Sequence, residues 1–259
     1  MSSTSSSSSR HPPAKHPCGV YQVGIYGGSF DPIHVGHVQL AVALLERAAL
    51  DLVIFVPAFV SPHKSTTNSS PEHRIHMVRL AIEDLGPQFR VSDCDVRKSS
   101  PSYTIDLLRE MHAELTREFA PCRVQLSLLL GSDSLVSFPR WREPRAICSL
   151  ARLVVGLRET ASTVDPHYAD TNTLKTSAST LHAPWIEELG ATVLQYNTPQ
   201  FDVSATLVRE RLARGLPCAG VYLDRRVCDY IYEHQLYRAQ RPTLAIMDRQ
   251  CTTIPTAKL

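Results

Sequence analysis

The stretch GIYGGSFDPIHVGH, residues 24–37, decides the fold that this sequence predicts. An apolar run at 20–26 leads into it and is typical of a buried strand. The segment that follows at 38–45, VQLAVALL, suits a helix. A strand, a glycine-rich turn and the start of a helix, in this order, predict the first unit of an α/β fold.

The same stretch predicts a binding site for an anion. Gly27 and Gly28 have no side chains and let the backbone come close to a phosphate, while the first N–H groups of the following helix point toward it. His34 and His37 are three residues apart, about one helical turn, so both rings can face the bound anion. We therefore expect a nucleotide phosphate to bind at this junction of strand and helix.

Further along the chain, predicted strands and helices alternate. The strands are expected at 21–26, 52–56, 89–92, 124–130, 153–157 and 191–195, and the helices at 37–48, 71–85, 104–119, 204–214 and 224–234. Ser102 or Thr104 is the expected cap of the third helix, and Gly215 the expected stop of the fourth. Repeated βα units of this length predict the α/β class, with a doubly wound, Rossmann-like parallel sheet in a single domain.

Two tails and one insertion accompany this domain. Residues 1–19 form a Ser- and Pro-rich tail with seven Ser in the first nine positions, a composition typical of disorder. The domain is expected at 20–238, with a surface insertion at about 160–184 that shows no apolar period. Residues 239–259 are expected to be a second tail.

Composition argues against several classes of protein. The chain has 27 Lys and Arg against 25 Asp and Glu and no block of like charge, so a nucleic-acid partner is not indicated. Its apolar stretches are far shorter than the ~20 residues of a membrane helix, so a soluble protein without a membrane partner is expected. The seven cysteines are scattered and include no CxxC pair, which predicts reduced thiols in an intracellular protein.

The motifs GGSFDP at 27–32 and HVGH at 34–37 resemble the signature of the HxGH nucleotidyltransferases, and more narrowly that of the nicotinate/nicotinamide mononucleotide adenylyltransferases. Further matching motifs follow in order: SPHK at 61–64, PSYT at 101–104, GSD at 131–133, Trp141, and VSATLVR at 203–209. The resemblance covers roughly residues 20–238. It implies an enzyme of NAD biosynthesis that transfers an adenylyl group from Mg-ATP to nicotinate or nicotinamide mononucleotide, giving the dinucleotide and pyrophosphate.

The resemblance also implies which residues contact ATP. The expected catalytic residues are His34, His37, Lys64 and Arg209, and the expected ATP-binding residues are Gly27, Gly28, Ser29, Phe30, Ser204 and Thr206. The residues alone leave simpler roles open. Lys64 could be an ordinary solvated lysine, Ser204 a plain helix cap, and the two histidines ordinary surface residues.

Other matching residues are expected at a ribose or at the pyridine ring. Gly131 and Asp133 follow a buried strand, where a carboxylate suits a ribose hydroxyl. Trp141 has polar neighbours and offers a flat face on which a pyridine ring can stack. Tyr103 and Thr104 begin a helix, and the resemblance implies that this region contacts the carboxylate or carboxamide of the pyridine. A plain helix start is the alternative for these two.

The implied reaction requires no protein base. The attacking phosphate oxygen is already ionised at neutral pH, so the protein has to hold two polyanions in line and neutralise the charge that develops. Mg²⁺ is expected to enter with ATP, and no metal site made of protein ligands is predicted. Asp31 fits a capping role at the start of the helix, which is a structural task.

Several alternatives stay open at this point. The chain could be another HxGH nucleotidyltransferase, such as one acting on phosphopantetheine, or a non-catalytic mononucleotide sensor. The form of the first motif resembles the bacterial type and favours nicotinate, while dual use and a homo-oligomer are open. Ala257-Lys258-Leu259 differs by one residue from a Ser-Lys-Leu address, so a peroxisomal import receptor and a peroxisome or glycosome are alternatives to a cytoplasmic location.

Overall fold

The computed structural model describes residues 19–59, 68–98, 102–158, 184–198 and 202–242. The strands in this part are β1 (Val20–Gly28), β2 (Leu52–Pro57), β3 (Phe89–Val91), β4 (Arg123–Gly131), β5 (Ala151–Arg158) and β6 (Val193–Thr198). The α-helices are α1 (Val35–Arg47), α2 (Pro71–Ile82), α3 (Thr104–Glu118), α4 (Ser132–Ser137), α5 (Pro144–Leu150), α6 (Pro184–Leu189), α7 (Ala205–Ala213) and α8 (Arg225–Glu233). Short 3-10 turns lie at Glu83–Leu85, Val96–Lys98, Phe138–Arg140 and Leu236–Arg238.

The strands form one parallel sheet in the order β3-β2-β1-β4-β5-β6. The order runs outward from β1 to β3 and then restarts on the other side of β1 with β4, so it reverses between β1 and β4. In open α/β sheets, ligands bind beyond the carboxyl ends of the strands at such a reversal. Here those ends are Gly28 and Gly131. The predicted doubly wound, Rossmann-like α/β fold is confirmed.

Alternating side chains divide the core between the two faces of the sheet, and β2 shows this directly. Leu52, Ile54 and Val56 belong to one buried cluster, whereas Val53 and Phe55 belong to the other. Helices α3 and α5 supply buried residues to the first cluster, and α1, α2, α7 and α8 to the second. Every residue of β2 is buried, as expected for a parallel strand that is covered on both faces.

All the predicted strands and helices are present, several with shifted ends. Helix α1 begins at Val35, two residues earlier than predicted, and β6 occupies Val193–Thr198 rather than 191–195. The predicted helix at 71–85 is an α-helix that ends in a 3-10 turn. Helices α4, α5 and α6 have only six or seven residues each, too few to show a helical repeat of apolar residues, and the sequence does not predict them.

The start of α3 differs from its prediction. Its N-cap position is Tyr103, and no side chain bonds to the first turn. The hydroxyl of Ser102 donates instead to the carboxylate of Asp95, which is 3% exposed. The predicted cap by Ser102 or Thr104 is therefore wrong, because a buried carboxylate takes the hydroxyl. The predicted end of α7 before Gly215 is confirmed.

Some predictions fall on residues outside the described part. They concern the tail at 1–18, the segment 60–67 with Lys64, the insertion at 160–183, and the residues after 242 with the tripeptide at 257–259. Within the described ranges, the five cysteines are free thiols. No helix in those ranges is long and apolar enough to cross a membrane.

Candidate functional site

A buried arginine holds the glycine-rich turn that follows β1. Arg74 of α2 is 0% exposed and donates through Nη1 to the carbonyl of Ser29 at 2.8 Å and through Nη2 to the carbonyl of Phe59 at 2.9 Å. Burial lowers the pKa of this guanidinium, and the charge of Asp31 opposes that shift. One side chain thus joins the turn to the chain that follows β2.

The two glycines of the turn leave room for different neighbours. A Cβ atom on Gly27 would meet no atom within 4 Å, because this residue borders an open cavity. A Cβ atom on Gly28 would lie 2.9 Å from the ring of Phe30. Phe30 is buried and has a left-handed φ of 46°. Gly27 therefore leaves space for a ligand, whereas Gly28 leaves space for the Phe30 ring.

Helix α1 begins with two stacked histidines. The ring centroids of His34 and His37 are 3.7 Å apart, at an angle of 23°. The N–H of His34 donates to Nδ1 of His37 at 3.3 Å, which assigns the proton of a neutral His37 ring to Nε2. Phe30 contacts His37 edge to face, with centroids 5.1 Å apart. The first turn of the helix and a buried aromatic ring therefore fix the orientation of His37.

Asp31 lies at the centre of a hydrogen-bond network behind the turn. Its Oδ2 accepts from the backbone N–H and the side-chain amide of Asn68 at 2.7 and 3.2 Å. Its Oδ1 accepts from the hydroxyls of Ser69 at 2.8 Å and Tyr237 at 2.9 Å. Burial alone would raise the pKa of Asp31, but these donors outweigh it and hold the pKa below its ordinary value. The N-cap of α1 is His34, so the predicted capping role of Asp31 is wrong.

The start of α7 faces the same turn. Ser204 caps this helix as predicted, and its hydroxyl accepts from the N–H of Leu207 at 3.1 Å. Arg209 donates through Nη1 to the backbone carbonyl of Asp31 at 2.8 Å and through Nη2 to the hydroxyl of Thr206 at 3.1 Å. Arg209 thus ties α7 to the turn that precedes the two histidines.

These elements surround a cavity of about 420 Å³, which we call the first cavity. It lies at the ends of β1 and β4 and at the starts of α1 and α7, and its polar lining includes His34, His37, Asp133, Ser204 and Thr206. Helices of 13 and nine residues therefore direct their N-terminal ends toward one space. The partial positive charge of helix N-termini favours anions, so the first cavity suits a phosphate chain.

The end of β4 supplies further residues at the cavity. Gly131 is the N-cap of α4, and Asp133 is exposed and lines the first cavity. Trp141 is half-buried, and its indole N–H donates to the hydroxyl of Ser137 at 3.2 Å. Its ring is tilted against Phe138, with centroids 5.4 Å apart. Trp141 is therefore held by its contacts with Phe138 and Ser137, and it also lines the cavity.

A second cavity, of about 330 Å³, faces α3 rather than α1. Tyr103 and Thr104, at the start of α3, line it together with Trp141. The guanidinium of Arg142 lies over the ring of Tyr103, 4.5 Å from its centroid, which is a cation–π contact. An aromatic and cationic edge thus borders the second cavity.

The charges at the second cavity are mainly positive. Its charged lining residues in the described part are Asp95, Arg140 and Arg142. The carboxylate of Asp95 accepts from the N–H of Phe59 at 2.9 Å and from the hydroxyl of Ser102. Arg140 and Arg142 are exposed. The described lining therefore favours a negatively charged ligand.

The two cavities share a wall that includes Gly27, Gly28 and Trp141. Most of the residues predicted for the site line one cavity or both: Gly27, Gly28, Ser29, Phe30, His34, His37, Tyr103, Thr104, Gly131, Asp133, Trp141, Ser204 and Thr206. Arg209 donates hydrogen bonds to Thr206 and to the backbone of the glycine-rich turn. Lys64 lies outside the described residues. Among the described residues, no group of three or more His, Cys, Asp or Glu is placed to hold a metal ion.

Sequence reasoning misses three residues at this site. Asp95 and Tyr237 belong to no recognisable motif, and their partners lie far away in the chain. Arg142 is adjacent to the predicted Trp141, which is the only signal that could have pointed to it. Arg74 is a different case: the sequence allows it either to orient the loop after β2 or to lie on the surface of α2, and the structure shows that it is buried.

Comparison with known proteins shows the family to which this chain belongs. The family model described as cytidylyltransferase-like matches residues 25–211. Probable nicotinate-nucleotide adenylyltransferases of Klebsiella pneumoniae and Dehalococcoides mccartyi are 34% and 36% identical over 82% and 83% of this chain, and over 95% and 97% of their own lengths. The corresponding protein of Roseiflexus sp. is 36% identical over 83% of this chain and 98% of its own.

Solved structures show the same fold. Plasmodium falciparum nicotinic acid mononucleotide adenylyltransferase, complexed with NaAD or with APC, superposes with TM-scores of 0.62 and 0.61 at 19% identity. Each superposition covers 85% of this chain and 98% of that structure. The chain therefore belongs to the cytidylyltransferase-like family and, within it, to the nicotinate-nucleotide adenylyltransferases, nucleotidyltransferases of NAD biosynthesis.

Proposed function

We propose that this protein transfers the adenylyl group of Mg-ATP to nicotinate mononucleotide, with ATP in the first cavity and the pyridine nucleotide in the second. The observation that carries the proposal is the shared wall of the two cavities. Because Gly27, Gly28 and Trp141 border both, two ligands bound there meet beside the glycine-rich turn. That arrangement suits an in-line reaction between two nucleotides.

The chemistry is a displacement at the α-phosphorus of ATP. A phosphate oxygen of the mononucleotide forms a bond to this phosphorus, the bond to the β-phosphate oxygen breaks, and pyrophosphate leaves with its electron pair. The nucleophile is already an anion, so no proton has to be removed. The protein contributes position and neutralisation of the developing charge.

The first cavity has the groups that such neutralisation needs. We assign contacts with the ATP phosphates to His34 and His37, to the N–H groups at the start of α1, and to Ser204 and Thr206 at the start of α7. The stacking of the two rings and the 3.3 Å bond from His34 to His37 preorganise them before ATP arrives. Preorganised donors act strongly on a charged transition state because they need not reorient.

Two further cations complete the proposed phosphate site. Arg209 lines neither cavity, but it bonds to Thr206 and to the carbonyl of Asp31, so it positions the turn and adds positive charge close to the proposed phosphate site. Lys64 follows β2 along the chain and is proposed as a point charge on the phosphate chain. Mg²⁺ enters as part of Mg-ATP, since this ion typically binds substrate phosphates and keeps several of its waters.

The pyridine nucleotide is proposed to stack on Trp141 in the second cavity. Thr104 and the N–H groups at the start of α3 lie at the same cavity and suit the polar substituent of the ring. Asp133 is proposed to accept a hydrogen bond from a ribose hydroxyl of ATP in the first cavity.

Two observations favour nicotinate over nicotinamide. Arg140 and Arg142 make the described lining of the second cavity mainly positive, and the one acidic residue there already accepts two hydrogen bonds. A carboxylate on the ring gains from that charge, whereas a carboxamide does not. The relatives in K. pneumoniae and D. mccartyi are also named for nicotinate.

The test is pyrophosphate release by the purified protein with Mg-ATP and, in separate reactions, nicotinate mononucleotide, nicotinamide mononucleotide or phosphopantetheine. We expect release with nicotinate mononucleotide, less with the nicotinamide form, and none with phosphopantetheine. Release with phosphopantetheine alone would mean that ATP is correctly assigned to the first cavity. It would also mean that the assignment of a pyridine nucleotide to the second cavity is wrong. No release from a folded protein that binds Mg-ATP would favour a mononucleotide sensor.

A further inference from the structure

The chain after α8 adopts an unusual backbone conformation. Gln235, Tyr237 and Arg238 all have left-handed φ angles, of 52°, 58° and 54°. Residues other than glycine occupy this region rarely, because the Cβ atom crowds the backbone. Three such residues within four positions persist only where surrounding contacts hold them, and such strain often occurs at functional sites.

The contacts that hold this segment lead to the glycine-rich turn. The hydroxyl of Tyr237 donates to Oδ1 of Asp31 at 2.9 Å and lies 2.9 Å from the hydroxyl of Ser69. Ser69 donates to the same carboxylate oxygen at 2.8 Å. Asp31 is 5% exposed and Ser69 is 8% exposed, so this triangle is shielded from water. The Tyr237 ring packs against the second core cluster.

The carboxylate of this triangle belongs to the glycine-rich turn that precedes the two histidines. Asp31 is three residues before His34, and its backbone carbonyl accepts from Arg209 at 2.8 Å. Its other oxygen holds Asn68. A shift of Asp31 would therefore move the start of α1, the bond to α7 and the chain at 68–69 together.

We propose that Tyr237 is a positioning residue for adenylyl transfer, which acts through Asp31 to hold the glycine-rich turn and its two histidines in register with α7. The proposal rests on the proposed function. Tyr237 lines neither cavity in the described part, so it contacts no substrate there. The strained backbone at 235–238 is the conformation that brings its hydroxyl to a residue 206 positions away.

The test compares Tyr237→Phe with the wild-type protein. The ring remains and only the hydroxyl is lost, so packing is preserved. We expect kcat to fall about tenfold, while KM for ATP stays within about twofold, because small displacements affect the transition state more than ground-state binding. The matched control is Tyr232→Phe, which removes a hydroxyl from the same core cluster without contact to Asp31. The control is expected to keep the wild-type kcat.

A double-mutant cycle then asks whether the effect passes through Asp31. If it does, adding Tyr237→Phe to an Asp31→Asn protein changes kcat by less than twofold, because the partner is already altered. Ser69→Ala provides an independent arm, since it removes the other hydroxyl on the same oxygen and is expected to reduce kcat as well.

Three results would overturn the proposal. They are a wild-type kcat in Tyr237→Phe, an equal loss in the Tyr232→Phe control, and losses that multiply fully in the double variant. A wild-type protein that releases no pyrophosphate would instead refute the proposed function, and the role of Tyr237 with it. The two failures are distinguishable because the first requires an active wild-type enzyme.

Discussion

The backbone N–H of His34 donates to Nδ1 of His37, and the two imidazole rings lie face to face with their centroids 3.7 Å apart. This bond joins the His37 ring to the N-cap of a helix that faces the first cavity. With Nδ1 acting as acceptor, a neutral His37 ring meets an anion through its Nε2–H. The motif therefore places a donor of fixed tautomer at the phosphate site.

Replacing His37 with Ala should reduce kcat by about 10²–10³, which is the usual cost of ~2.7–4 kcal/mol for losing one preorganised donor to the transition state. The fold should persist, because His37 is only half-buried. Pyrophosphate release and a urea unfolding curve measure the two effects. His76→Ala, at an exposed histidine of α2 that lines neither cavity, is the matched control. Normal turnover by a folded His37→Ala protein would refute the assignment.

The sequence predicts this part of the site well because the signals are local. The strand, the two glycines and the histidines all lie within residues 20–37, and α7 begins at a side-chain cap, Ser204, that the sequence shows. Short-range rules of turns and caps are sufficient there. The order of motifs along a βα repeat then places their ends on one edge of the sheet.

The contacts that support the site are not local, and sequence patterns do not show them. Asp31 is bonded to residues 37, 38 and 206 positions away, and no rule of sequence spacing connects them. Arg74 has the spacing of a helix residue, and only packing shows that it is buried against Ser29. The Ser102 hydroxyl bonds to Asp95 instead of capping α3, and this choice likewise depends on tertiary structure.

Gly36 is expected to tolerate no side chain, for a reason of packing. A Cβ atom there would lie 2.9 Å from Cγ1 of Val203 and 3.2 Å from Nδ1 of His34. Gly36→Ala should therefore push α1 away from the segment before α7, lowering stability by about 1–3 kcal/mol, as overpacking does. It should also reduce kcat by tenfold or more, because His34 is displaced.

A compensating change tests that explanation. Val203→Ala removes the atom nearest to the new Cβ, so the double variant with Gly36→Ala should regain most of the lost stability. Activity should recover only in part, since the contact with His34 at 3.2 Å remains. Urea unfolding and pyrophosphate release of the single and double variants give the answer. If Val203→Ala leaves the stability of the Gly36→Ala protein unchanged, steric conflict at this contact is not the cause.

Asp31 should make the stability of the fold depend on acid pH. Its pKa in the folded protein lies below the unfolded value of about 3.9, because hydrogen-bond donors outweigh burial. The ionised carboxylate therefore stabilises the fold above the unfolded pKa, and this contribution is lost as the pH falls through the lower folded value. Asp31→Asn should cost about 1–3 kcal/mol at pH 7 and less at pH 3.

The measurement is urea unfolding of both proteins at several pH values between 3 and 7. The difference in unfolding free energy should shrink toward the acid end. Asp229→Asn, at an exposed residue of α8, is the control and should change the unfolding free energy by less than about 0.5 kcal/mol at every pH. A constant difference across this pH range would mean that the charge of Asp31 does not contribute.

Arg142 should determine part of the preference between the two pyridine substrates. Its guanidinium lies 4.5 Å from the centre of the Tyr103 ring at the second cavity. Arg142→Gln should reduce kcat/KM for nicotinate mononucleotide about fivefold, since partly solvated charge interactions are worth up to ~1 kcal/mol. The value for nicotinamide mononucleotide should change by less than twofold. Arg145→Gln, in α5 and lining neither cavity, controls for a general loss of positive charge. Equal losses with both substrates would show that Arg142 contributes to binding the shared phosphate rather than to selecting the carboxylate.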